Sequence, residues 1–231
     1  MAPISSGQLK AALAEAMLLS DYQVDYPHRV VQQAGEVSRG KRGRGGADVT
    51  PRDAAITIIA IACSFISVEV LRGVREFSVM PCQHTAYHTG TPDGWTTNDD
   101  GLWQVKGFEL PHLQQLPARH TFVDALTAVI EAVRDKAFDV AFKQAYPDET
   151  LPIYNIHVVF GGPDADASIA IDMWAGEYHY QEEAGYFLDE KREATREQMA
   201  ARTAFRIEIK IDHHPISAVA TLFRDQLASD T

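Results

Sequence analysis

Tyr154-Asn155-Ile156-His157-Val158-Val159-Phe160, with Gly161-Gly162-Pro163-Asp164 after it and Ile169-Ala170-Ile171-Asp172-Met173 beyond, is where the chain stops reading in helical turns. Apolar side chains fall at every second position, so each run has one face to bury and one to leave out, which is the pattern of a half-buried strand. The Gly-Gly-Pro-Asp between them predicts an antiparallel hairpin with a longer loop. Phe205, Ile207, Ile209 and Ile211, alternating with Arg206, Glu208 and Lys210, predict a third strand, and 177–183 is a candidate fourth.

Outward from these strands the period is helical. Thr121 and Asp124 form a capping box ahead of Phe122, Leu126, Val129, Ile130 and Val133, which share one stripe and predict a long helix. Residues 190–202 are charged helix formers. Pro215 opens a last helix carrying Ile216, Val219, Ala220, Phe223 and Leu227. Upstream, 77–118 is cut by Pro81, Gly90, Pro92, Gly94, Gly101, Gly107, Pro111 and Pro117, and reads as a connecting segment with short strands at best. Thr50-Pro51-Arg52-Asp53 combines a cap, a proline in the first turn and a reciprocal carboxylate, so a helix is expected from 51 to about 76. It is apolar nearly all round over 54–66, which calls for burial against several neighbours or a second subunit.

The N-terminal residues complete the outline. Leu9, Ala12, Leu13, Ala16 and Met17 mark a first helix over 7–19, capped by Ser5 or Ser6. A short second helix is expected after Ser20-Asp21. A third is expected over 27–34, ended by Gly35 in the left-handed conformation. The expected class is α+β: a helical helix-turn-helix module over 1–76, a connecting segment over 77–118, and an α+β domain with an antiparallel sheet over 119–231.

Composition limits the function. The chain has 231 residues, 45% of them hydrophobic, with 21 Lys plus Arg against 32 Asp plus Glu, so it is an ordinary globular protein and not a disordered one. A net charge of −11 excludes coating nucleic acid over the whole surface. The charge is uneven, however: 1–52 carries 7 basic and 5 acidic residues, the remainder 14 and 27. Two cysteines, Cys63 and Cys82, imply no disulfide framework. The N-terminus lacks a signal pattern and the apolar stretch 54–68 is too short to span a bilayer, so a cytoplasmic protein with no membrane partner is expected.

The chemistry-bearing pattern is short helices, Gly35, then Ser38-Arg39-Gly40-Lys41-Arg42-Gly43-Arg44-Gly45-Gly46, then the helix capped by Thr50. Helix-turn-helix modules lay one short helix in the major groove while basic flanks hold phosphates or enter the minor groove. On the expected third helix, with Val30, Val31 and Ala34 inward, His28, Arg29, Gln32 and Gln33 face out; Arg can bind guanine and Gln adenine bidentately. Arg39, Lys41, Arg42 and Arg44 supply the phosphate or minor-groove contacts, with glycine allowing close backbone approach. Without a ligand the same loop is a solvated linker; its position between two capped helices favours the binding role.

The stretch Ala34-Gly35-Glu36-Val37-Ser38-Arg39-Gly40-Lys41-Arg42-Gly43-Arg44-Gly45 followed by Thr50-Pro51-Arg52-Asp53-Ala54-Ala55 resembles the N-terminal region of small helix-turn-helix DNA-binding proteins of bacterial phages and prophages. The resemblance covers about the first 65 residues and implies double-stranded DNA as partner. Tyr26-Pro27 departs from it, where uninterrupted helix would be expected. The expected function is therefore a sequence-specific transcriptional regulator, a homodimer without cofactor, metal or catalytic residue, whose second domain oligomerises or takes a protein partner or small ligand. A phage small terminase subunit shares this order of parts, and a ring would favour it where a dimer favours the regulator. An enzyme or ligand-binding protein working through the α+β domain is the alternative of another class, with His84, His88 or His213 lining its site. Cys82, His84 and His88 lack the paired spacing of structural zinc and read as a polar loop. His213-His214 read as caps of the last helix. Glu182-Glu183, Asp189-Glu190 and Asp172 read as solvated faces. No Walker loop, dinucleotide fingerprint or nucleophile elbow occurs.

Overall fold

The computed structural model describes residues 4–39, 48–66, 69–89, 96–98, 110–145, 147, 153–162, 166–175, 178–187 and 207–228. Among them are eight helices and one antiparallel sheet of six strands, a mixed α+β architecture. Helices α1 (Ser6–Ala16), α2 (Asp21–Ala34), α3 (Pro51–Phe65) and α4 (Val70–Ser78) come first, then β1 (Cys82–Thr89) and β2 (Thr96–Asn98). Helices α5 (Pro111–Gln114), α6 (Phe122–Arg134) and α7 (Ala137–Ala145) lead to β3 (Ile153–Gly162), β4 (Asp166–Ala175), β5 (Tyr178–Phe187) and β6 (Ile207–Ile211), and α8 (His213–Ala228) closes the order. The strand order is β2-β1-β5-β4-β3-β6.

The expected strands are all present. The β3–β4 hairpin pairs Ile156 with Ile171 and Val158 with Ile169, which puts both apolar rows on one face. The helices cover that face through rings: Phe77 of α4 and Phe122 of α6 meet Phe160 edge-on at 5.5 and 5.4 Å, and Phe138 of α7 stacks on Tyr154 at 5.0 Å. Offset and edge-on pairs of this kind add to the area they bury. At the end of α3, Ile66 lies against the backbone of Gly162, a contact that a side chain at 162 would block.

Three expectations are corrected. The helix of 51–76 is two helices, because Ala54 to Cys63 are buried all round whereas Arg72 and Arg75 must reach water. As a separate helix, α4 buries Val70, Gly73, Val74 and Phe77 and exposes Arg72 and Arg75. Residues 82–89 form a full strand inside the sheet, with β1 paired to β5 as well as to β2, and not a polar loop. Before the basic loop there are two helices and not three, since α2 runs through Pro27. The expected helix over 190–202 lies outside the described residues.

Helix α3 packs against α2, α4, α6 and α8, and α1 packs against both α2 and α8. Arg52 joins the first turns of α3 and α6 through Asp124 at 3.0 Å. Buried apolar side chains from Ile4 to Phe223 form one cluster, so apolar packing crosses the boundaries drawn at 76 and 119. No helix among the described residues is long and apolar enough to cross a membrane.

Candidate nucleic-acid interface

Both ends of α2 are fixed by sequence. Ser20 caps its start in a reciprocal box with Gln23, and Gly35 ends it at φ +83°, a conformation that costs glycine little. Glu36 N–H donates to the Val31 carbonyl at 3.0 Å, closing the last turn. The turn from α1 is four residues long, with Leu18 left-handed and 93% exposed.

Val24, Pro27, His28 and Val31 form the buried stripe of α2. At 100° per residue the opposite stripe is Tyr22, Tyr26, Arg29 and Gln33. All four are exposed, and the rings of Tyr22 and Tyr26 stack at 6.1 Å. Two of the residues expected to face out, Arg29 and Gln33, therefore do so, and Gln32 is half-exposed on the flank. His28 does not face out. It is 3% exposed, with Nδ1 3.1 Å from Thr57 Oγ1 in α3, because a helix that begins at Asp21 keeps position 28 in phase with Val24 and Val31. In this fold it cannot touch a base.

Charge along α2 runs from acidic to basic. Asp25 binds Lys10 of α1 at 2.5 Å and lies 4.0 Å from Arg29; its carboxyl is held below the usual range by the Lys10 hydrogen bond above all. Beyond the C-terminus, Arg39 folds back so that Nε donates to the Gln32 carbonyl at 2.9 Å and Nη2 donates to that of Gln33. A cation there complements the helix dipole. Arg75 of α4 reaches Glu36 at 2.8 Å, and Arg72 lies one turn before it, also exposed. Sequence reasoning missed Tyr22, Tyr26, Arg72 and Arg75. The signal was present: once α2 begins at Ser20, the spacing 22-26-29-33 is one helical row. Lys41, Arg42 and Arg44 lie outside the described residues, between Arg39 and Thr50.

The other candidates fall differently. Cys82 is buried toward Tyr186, while His84 lies across a bulge against Gly185. Asp172 and Glu182 are buried in neighbouring central strands and so are not solvated faces; Asp172 Oδ2 lies 3.2 Å from His157 Nε2. Asp189 and Glu190 are outside the described residues, as is the side chain of His88. His213 and His214 begin α8 and do not cap it; Asp212 accepts from His214 N–H at 3.0 Å. Burial pushes the Cys63 thiol up to about 12, which keeps it protonated and unreactive. Among the described residues no group of three His, Cys, Asp or Glu side chains is arranged to hold a metal. No protein family, curated protein or solved structure matches this chain.

Proposed function

We propose that this chain is a sequence-specific DNA-binding regulator that reads double-stranded DNA with the outward row of α2 and grips it with the basic loop that follows. The observation that carries the reading is the row Tyr22, Tyr26, Arg29 and Gln33, exposed along one side of a helix whose other side is locked to α3. A rigidly seated helix with one free row of long hydrogen-bonding side chains fits a major groove. Arg29 takes guanine and Gln33 adenine, and the tyrosine hydroxyls reach phosphate. The loop begins just past the C-terminal end of this row, so Arg39, Lys41, Arg42 and Arg44 extend the contact along the backbone, with Arg72 and Arg75 as further cations on that side. The acidic remainder of the chain turns away from phosphate, which sets the orientation.

The test is retention of random and genomic DNA fragments by the purified chain across a salt series. Selective, salt-sensitive retention is expected. Arg42→Ala with Arg44→Ala lowers the log K against log salt slope by roughly one unit per lost phosphate contact. No retention of either pool at low salt overturns the reading.

A further inference from the structure

We propose that Asn155, set between His157 and His213, is a proton switch that lets only one of the two histidines carry charge at a time. Asn155 and His157 are two residues apart on β3, so both lie on the face opposite Ile156 and Val158, and strand pairing sets Asn155 beside Asp172 of β4. His213 opens α8 just past the end of β6. Its Nδ1 lies 2.9 Å from Asn155 Oδ1, and Asn155 Nδ2 lies 3.0 Å from His157 Nε2. The same Nε2 is 3.2 Å from Asp172 Oδ2, while the buried His157 Nδ1 has no hydrogen-bond partner among the described residues. The other charged or titratable groups facing the pair are Lys210 on β6, Asp212 after it, and His214, whose ring lies 4.2 Å from that of His213.

His157 Nε2 faces two opposed demands. Asn155 offers it an N–H, which needs a lone pair there, and Asp172 offers it a carboxylate, which needs a proton. Two arrangements meet these demands in turn. With His157 neutral and its proton on Nδ1, His213 Nδ1–H donates to Asn155 Oδ1, and Asn155 Nδ2–H donates to His157 Nε2. With His157 charged, Nε2–H donates to Asp172 and the amide turns over, taking its N–H away from the ring. Asn155 Nδ2 then faces His213 Nδ1, which accepts only without a proton, so His213 stays neutral with its proton on Nε2. A charged His213 does the reverse: its Nδ1–H holds the amide in the first arrangement and keeps His157 neutral. An amide has one donor end and one acceptor end and cannot accept from two imidazolium rings on opposite sides. Burial above all holds both rings below the ordinary histidine range, and Asp172 at contact distance makes His157 the ring that takes the first proton. Because α8 packs against α1 and α6, the switch sits where the sheet meets the helices.

Long-range proton–nitrogen correlation spectra of the imidazole rings in the full, nitrogen-15-labelled chain, recorded as pH is lowered, test the proposal. Above the transition both His157 and His213 are expected to carry their proton on Nδ1. As His157 becomes charged, His213 moves its proton to Nε2 without gaining charge, and its own protonation follows about one pH unit or more below that of His157. In Asn155→Ala the tautomer of His213 no longer follows the titration of His157. Asn155→Asp places an acceptor toward both rings, so the two become charged together and at higher pH. The wild-type titration decides by itself should either variant not fold. A His213 tautomer that is unchanged while His157 becomes charged overturns the proposal, as do two rings charged in one transition or a His157 that stays neutral until the chain unfolds. None of these residues belongs to α2 or the basic loop, so DNA retention neither supports nor removes the switch.

Discussion

Asp53 holds Ser38 from across the basic loop: its Oδ1 accepts from the Ser38 N–H at 2.8 Å while its Oδ2 accepts from the Thr50 N–H, also at 2.8 Å. One carboxylate, 6% exposed, thus serves as the capping group of α3 and as the tie between the two ends of the segment that carries Lys41, Arg42 and Arg44. Asp53→Ala removes the reciprocal half of the capping box and leaves the Ser38 and Thr50 N–H groups without their carboxylate, so a loss of about 1–2 kcal/mol is expected. Chemical denaturation measures it. A change within about 0.5 kcal/mol, the range of ordinary surface substitutions, would show that the tie does not hold in solution.

His28 makes stability depend on pH. Thr57 Oγ1 donates to the Asp53 carbonyl at 2.7 Å, so the hydroxyl oxygen accepts from His28 Nδ1–H, while the buried Nε2 meets no hydrogen-bond partner for a second ring proton. Burial holds its pKa below the ordinary value, as it does for His120, and desolvation also leads for His157 and His213. A group whose folded pKa is depressed binds its proton more readily when unfolded. Its stabilisation is therefore present above the unfolded pKa of about 6.5 and is lost as pH falls through that value toward the folded pKa. Unfolding free energy should decline on acidification from about pH 7, and His28→Gln should flatten part of that decline. A slope unchanged by the substitution would mean that His28 titrates normally in the folded chain.

Tyr186 and His120 form a polar pair inside the core. The buried Tyr186 hydroxyl donates to His120 Nε2 at 2.9 Å, and His120 Nδ1–H donates to the Pro117 carbonyl at 3.1 Å. Burial raises the Tyr186 pKa well above the usual value, so the hydroxyl stays a donor. Tyr186→Phe keeps the edge-on ring contact with Phe122 at 5.2 Å but deprives His120 of that donor. The expected cost is about 1–3 kcal/mol, read as a lowered melting temperature of roughly 2–4 °C per kcal/mol at this chain length. An unshifted melting temperature would mean that water or another group replaces the hydroxyl.

What the sequence discloses is local. Ser20, Thr50 and Thr121 are legible as caps because each box is written in four adjacent residues, and the strands of 153–187 are legible because their period is two. The misses come from contacts distant in sequence. Pro27 reads as a helix boundary, yet its ring is buried between α2 and its neighbours, and packing offsets a cost of about 3 kcal/mol for proline inside a helix. That boundary error moved His28 to the wrong face. Strand β1 is hidden among glycines and prolines because its partner, β5, lies about a hundred residues later. Arg75 joins the candidate interface only through Glu36, a contact that no spacing rule announces.

Arg29 and Gln33 separate the DNA-binding reading from a purely structural role for α2. Both side chains are on the exposed row, with Arg29 54% exposed beside Asp25, so Arg29→Ala and Gln33→Ala should alter stability by no more than about 0.5 kcal/mol. If each contacts a base bidentately, each substitution lowers affinity for the selected site about tenfold and relaxes the sequence preference at one position, while binding to random fragments changes little. His28→Ala should do the reverse: it opens a hole against Thr57, destabilises the fold, and weakens binding only as far as the chain unfolds. Fluorescence anisotropy on the recovered site and on a scrambled duplex, run beside thermal melts of the three variants, distinguishes the two patterns. Equal affinities for wild type, Arg29→Ala and Gln33→Ala would remove α2 from the groove and leave the basic loop as the sole contact.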